Sequence, residues 1–187
     1  PDALFESIAA TETSQGVMTL VRPRAWVMEQ LFNNVPLVVV LDGVQDPGNA
    51  GAICRAAEAF GATGALFVKG SVNPFNPKTL RAAAGSLFRL PFVHGVEPAA
   101  ARAALREKKV AVYAAVPAHA CSRRADEADL ARPCALVVGS EAHGVSGELR
   151  AAAEDITIPT VGVESLNAAV AAGILLYEAR RQRARKP

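Results

Sequence analysis

The run LVVVL at residues 37–41 admits few folds. Five consecutive aliphatic residues, three of them β-branched, stand between Pro36 and the turn formers of DGVQDPG at 42–48, which reads as a strand buried on both faces. Such a strand needs helices on either side of its sheet, and the chain supplies strands and helices in alternation. Residues 49–60 read as a helix stopped by Gly61, 65–68 as a strand, 77–86 as a helix and 92–93 as a short strand. A helix over 98–108 with proline at its start, a strand over 110–115 and room for a short helix in the polar stretch beyond come next. Then come a strand over 134–138, a helix through Ala153, and a last strand over 156–158 that Pro159 ends. The prediction is an α/β fold, a mostly parallel sheet with helices on both faces. Residues 1–34 read as an approach segment, with a helical turn over 4–9, a strand over 16–21 and a helix over 26–32, and residues 35–187 as one domain.

The last helix carries Leu166, Val170, Ile174, Leu175 and Leu176 among alanines and Gly173, so apolar or small groups occupy almost every face. That pattern predicts a buried helix. Ser165, read as its cap, and Asn167 are the polar exceptions, at the end where unpaired N–H groups and the positive dipole end collect.

Composition removes several classes of protein. With 51% hydrophobic and 20% charged residues the chain is globular, and no run of eighteen apolar residues offers a membrane span. No secretory signal is visible, so a soluble, cytoplasmic protein is expected, and Pro1, which is no initiator, implies preceding residues. Cys54, Cys121 and Cys134 lie far apart without a Cys-x-x-Cys and are expected as buried free thiols. His94, His119 and His143 lack ligand spacing, so no metal is expected. The net charge of +2 is uneven: Arg180, Arg181, Arg183, Arg185 and Lys186 close a chain whose remainder holds fifteen basic residues against eighteen acidic ones. That basic end is either a solvated helix terminus or a contact for phosphates.

In open α/β sheets ligands bind at the carboxyl ends of the strands. Neither Gly-x-Gly-x-x-Gly nor Gly-x-x-x-x-Gly-Lys-Ser/Thr follows a strand here, which disfavours dinucleotide and P-loop sites. Three other loops hold the uncommon residues. In the first, Asn49, Gly51 and Arg55 fall at i, i+2 and i+6; with Asn49 as cap, Arg55 emerges about two turns into a helix of small and apolar neighbours. In the second, Gly139, Ser140 and Glu141 let backbone approach a ligand and Gly144 suits a tight turn. The third is the stretch leading into Ser165 and Asn167. Taken singly, Arg55 is a surface arginine, Glu141 a helix N-terminal acid, and Ser165 with Asn167 a cap and its neighbour.

In this order and at this spacing, DPGNAGAICRAAEAFGA at 46–62, LVVGSEAHGVS at 136–146 and IPTVGVESLNAAVAAGILLYEA at 158–179 resemble the three motifs of SpoU-type RNA ribose 2′-O-methyltransferases, within the SPOUT superfamily. The resemblance covers about residues 15–182. It implies a C-terminal deep trefoil knot, an exception to the usual absence of knots. It also implies S-adenosylmethionine held at Gly139, Ile158 and Leu166 largely through backbone, and a homodimer. Arg55, Asn49, Glu141, Ser165 and Asn167 match the family's active-site positions. Because a guanidinium stays protonated, Arg55 is expected to clamp a phosphate and stabilise developing alkoxide charge, with Glu141, Ser165 and Asn167 orienting it or the ribose. The implied partner is RNA, ribosomal RNA ahead of transfer RNA, and the implied reaction is methylation of a ribose 2′-hydroxyl. Many members carry an RNA-binding domain before the motifs, so residues 1–187 alone are expected to bind cofactor and methylate RNA weakly. The competing readings are a transfer-RNA methyltransferase, a knotted RNA-binding module without activity, and a small-molecule α/β enzyme.

Overall fold

The computed structural model describes residues 2–9, 16–118 and 122–184. Seven strands form one sheet in which every pairing is parallel. Strand β1 (Leu37–Asp42) lies between β2 (Gly64–Val68) and β6 (Cys134–Gly139). Beyond β2 comes β3 (Phe92–Val96); beyond β6 come β4 (Ala111–Ala115), β7 (Glu154–Thr157) and the two-residue β5 (Arg123–Arg124). The chain winds outward from β1 through β2 and β3, then crosses to build the other half, so the crevice where the winding reverses opens at the carboxyl ends of β1 and β6.

All six residues of β1 are buried, as the aliphatic run requires, and their alternation divides the core in two. Leu37, Val39 and Leu41 face α2 (Pro47–Ala59), α3 (Pro77–Ala82) and α6 (Ala168–Arg183), through Ile53, Cys54, Ala83, Leu175 and Leu176. Val38 and Val40 face a 3₁₀ turn at Met28–Phe32, α4 (Pro98–Glu107) and α5 (Gly147–Arg150), through Leu31, Leu105 and Leu149. Helix α2 lies so close to α3 that a Cβ on Gly51 would fall 2.5 Å from the Thr79 carbonyl oxygen and 2.5 Å from Ala82 Cβ. Glycine is required there by space.

Several local expectations are corrected. Residues 16–21 form no strand, and Val17, Met18, Leu20 and Val21 are exposed, paired with no neighbouring strand among the described residues. The N-terminal helical turn is α1 (Asp2–Ile8), and the expected helix over 26–32 is the shorter 3₁₀ turn. The helix expected over 77–86 breaks after Ala82: Gly85, at φ 87°, turns the chain into a separate 3₁₀ turn, Ser86–Phe88. Among its described residues the polar stretch after β4 holds β5 and no helix, and α5 stops at Arg150. Cys54 and Cys134 are free and buried, and burial pushes the Cys54 thiol up to about 12; Cys121 and His119 lie outside the described residues.

Both expected caps are displaced, each by a side chain two or three residues away. Asp46, not Asn49, caps α2: its carboxylate accepts from the Asn49 N–H at 2.6 Å, and Pro47 occupies the first turn. Asn167, not Ser165, caps α6, accepting at its Oδ1 from the Ala169 and Val170 N–H groups at 2.9 and 3.2 Å. Helix α6 is also less buried in the single chain than its composition predicts: Val170, Ile174 and Tyr177 are 51%, 40% and 55% exposed.

Candidate active site

The caps decide which side chains are free. With Asp46 holding the start of α2, the Asn49 side chain reaches across the carboxyl end of the sheet and donates its Nδ2 to Glu141 Oε1 at 2.7 Å. Asn167 donates its own Nδ2 to Asn49 Oδ1 at 3.0 Å and to Glu141 Oε1 at 3.3 Å. The orientation of both amides is forced. Asn167 Oδ1 must face the backbone N–H groups it caps, so its Nδ2 must face Asn49 Oδ1, and Asn49 is left to donate to the carboxylate. One helix cap thus fixes the direction of a three-residue polar bridge whose members lie 92 and 118 residues from Asn49 in sequence. The Glu141 carboxylate sits beside the N-terminus of α6, where the dipole favours negative charge.

Two further ties hold the loops in register. The buried Asp42 accepts from the Ser146 N–H at 2.6 Å, fastening the end of β1 to the loop after β6. Gly43 N–H donates to Ser71 Oγ, whose hydroxyl donates back to the Leu41 carbonyl, both at 2.9 Å. The loop after β6 is itself closed by paired bonds between Ser140 and Gly144, the latter at φ 67° as a tight turn requires. A Cβ on Gly139 would lie 2.0 Å from the Gly144 carbonyl carbon and 2.2 Å from Val145 N, so no side chain fits there.

Beside this bridge a cavity of about 520 Å³ opens at the carboxyl ends of β4, β6 and β7, within the range of small-molecule sites. Gly139, Ile158 and Leu166 line it, with Val138 and Ile156 adding apolar wall. Glu141 lines it too and so joins the cavity to the amide bridge. Ser165 lines the cavity, exposed, but makes no hydrogen bond to the bridge among the described residues. Arg55 stands apart. It is exposed on α2, about 9 Å further along the helix than Asn49, and has no hydrogen-bond or ion-pair partner among the described residues. The structure therefore brings together Asn49, Glu141 and Asn167, places Ser165 at the rim, and leaves Arg55 free nearby. Ala115, the last residue of β4, and residues 116–118 after it also line the cavity and were not anticipated; the rule that ligands meet strand carboxyl ends applies to β4 as well, but this loop has no unusual residue to draw attention.

Two of the five residues of the basic end are engaged elsewhere. Arg181 pairs with Glu178 at 2.7 Å, and Arg183 donates to the carbonyls of Leu130, Val35, Pro36 and Arg132; Arg185 and Lys186 lie outside the described residues. No group of three His, Cys, Asp or Glu that could hold a metal occurs among the described residues, and no described helix is long and apolar enough to cross a membrane.

Comparison with known proteins gives this geometry its context. The model of the SpoU rRNA Methylase family matches residues 36–177. An uncharacterized tRNA/rRNA methyltransferase of Synechocystis is 36% identical over 96% of this chain and 48% of its own length, so the chain spans about half of that relative. The 23S rRNA (guanosine(2553)-2′-O)-methyltransferase RlmP of Bacillus subtilis is 34% identical over 94% of this chain and 69% of its own. Among solved structures, the SpoU methyltransferase AviRb from Streptomyces viridochromogenes, crystallised with AdoMet, superposes with a TM-score of 0.79 at 31% identity, covering 86% of this chain and 66% of that one. With the family model covering well over half of the chain and the same α/β architecture found in a solved relative, this chain belongs to the SpoU rRNA methylase family.

Proposed function

We propose that the chain is the catalytic part of an S-adenosylmethionine-dependent methyltransferase acting on a ribose 2′-hydroxyl of RNA, ribosomal RNA in the first instance. The observation that carries this reading is the joint at Glu141, one carboxylate that both lines the cavity and accepts from Asn49 and Asn167. The lining fits the cofactor: apolar walls from Val138, Ile156 and Ile158, and a loop after β6 packed so tightly on Gly139 that no side chain there stands between backbone and cavity. When bound, the cofactor supplies an activated methyl group. The chain has only to position the acceptor hydroxyl and manage its proton and charge. The bridge presents fixed amide dipoles and a carboxylate toward that hydroxyl, and Ser165 stands at the rim to hydrogen-bond the ribose. Arg55, a guanidinium without a partner among the described residues, is suited to clamp an RNA phosphate or stabilise the developing alkoxide.

The same reading extends to assembly and to the chain path. Val170, Ile174 and Tyr177 form an exposed apolar face on α6, which supports a homodimer that covers them. The knot of the family accords with β7 inserted between β4 and β5 while α6 returns against α2. Residues 1–34 act as an approach segment, and the free buried thiols accord with a reducing cytoplasm. Titration calorimetry with S-adenosylmethionine tests the cavity. Binding by the wild-type chain, kept in Arg55→Ala while methyl transfer is lost, is the expected result; no binding by the wild-type chain would refute the assignment.

A further inference from the structure

Arg55 has an acid within reach on its own helix. Glu58, at i+3, is the spacing at which Arg and Glu pair across a helix turn. Yet Arg55 has no partner among the described residues, because Glu58 is already taken. Arg89, just past the 3₁₀ turn Ser86–Phe88, donates Nε to Glu58 Oε1 at 2.5 Å and Nη2 to Oε2 at 2.8 Å, occupying both oxygens in a bidentate fork. A surface glutamate is ionised at neutral pH in any case, so Glu58 without Arg89 would be available to a second guanidinium; Arg89, with Ser86 beside it, lowers its pKa further. The close approach of α2 and α3 at Gly51 keeps the segment carrying Arg89 against the outer end of α2.

We propose that Arg89 is a positioning residue for methyl transfer: by holding Glu58 it keeps the Arg55 guanidinium free for RNA. The inference rests on Arg55 serving the reaction as set out above. Its chemistry is that of competition for one carboxylate. With Arg89 present, its fork holds both Glu58 oxygens and leaves neither open to Arg55. Without it, Glu58 swings to Arg55, neutralises it, and sets an anion beside the site where an RNA phosphate must bind.

The test uses Arg89→Ala, Glu58→Gln and the double variant, reading kcat/KM for RNA methylation, S-adenosylmethionine affinity and Tm. Arg89→Ala should lower kcat/KM about three-fold at low salt, the scale of an exposed ion pair, with cofactor affinity unchanged. The loss should shrink as salt is raised. Glu58→Gln should turn over like the wild type, and the double variant should recover its rate while keeping the lowered Tm of Arg89→Ala. Wild-type turnover by Arg89→Ala, or a double variant as slow as Arg89→Ala, overturns the proposal; the second outcome would mean that Arg89 touches RNA itself or only braces the fold. Arg55→Ala separates this from the wider reading. If it still transfers methyl, the role of Arg55 falls; if it is inactive while Glu58→Gln fails to rescue Arg89→Ala, only the present inference falls.

Discussion

Asn167 commits its carbonyl oxygen to the start of α6 and its amide nitrogen to the site, and two substitutions separate these roles. Asn167→Ala should cost about 1 kcal/mol as a lost cap and also abolish transfer. Asn167→Asp should keep the cap and the Tm, yet set a carboxylate oxygen against Asn49 Oδ1 and Glu141 Oε1, so that transfer is lost without loss of stability. Thermal unfolding beside methylation assays distinguishes the pair; an Asn167→Asp variant with normal turnover would show that the bridge is dispensable. Gly139→Ala makes a complementary demand. Its Cβ would overlap the backbone of Gly144, so cofactor affinity should fall at least about ten-fold by calorimetry. At this scale the sequence marked Asn49, Glu141 and Asn167 as polar groups in loops at strand ends, and the family resemblance, not their spacing, joined them into one site. Their bonding was not legible in the sequence. Assigning Asn49 and Ser165 as caps would have left Asn49 facing its own helix, and only the carboxylate of Asp46 three residues earlier frees it.

Helix α6 is fastened at its far end by Arg183, which gathers carbonyls from the chain entering β1 and from the segment before β6. In sequence Arg183 belonged to a basic tail with two explanations, and nothing local distinguished a clamp from a phosphate contact, because its acceptors are backbone atoms up to 148 residues away. Arg183→Met should lower the free energy of unfolding by about 3 kcal/mol in urea titrations, since several charge-assisted bonds are lost together. Two residues earlier, Arg181 holds Glu178 below the usual carboxylate range, with Gln182 adding a second donor. A lowered folded-state value means that this stabilisation is present above the ordinary carboxylate pKa and is lost as pH falls through the lowered one. Glu178→Gln should therefore be less stable than wild type near neutrality, by about 0.5–1 kcal/mol, and the difference should vanish in acid; a gap that persists at low pH would place the effect in packing.

For the whole molecule, the alternation of apolar runs and helices sufficed to foretell a parallel α/β sheet, because a strand buried on both faces leaves little choice. The exposed face of α6 shows the limit of that logic. Helical periodicity reports that Val170, Ile174 and Tyr177 seek cover, not whether the cover comes from the same chain. If a second copy supplies it, Ile174→Glu should shift the chain from dimer to monomer in sedimentation; a wild-type chain that is already monomeric would refute the dimer. The reaction is tested most directly by incubating residues 1–187 with methyl-labelled S-adenosylmethionine and total RNA, then digesting the RNA to nucleosides. Slow but measurable label in 2′-O-methylated ribose, absent with Arg55→Ala, is the predicted result. Label confined to methylated bases, or none at all from a chain that binds the cofactor, would contradict it.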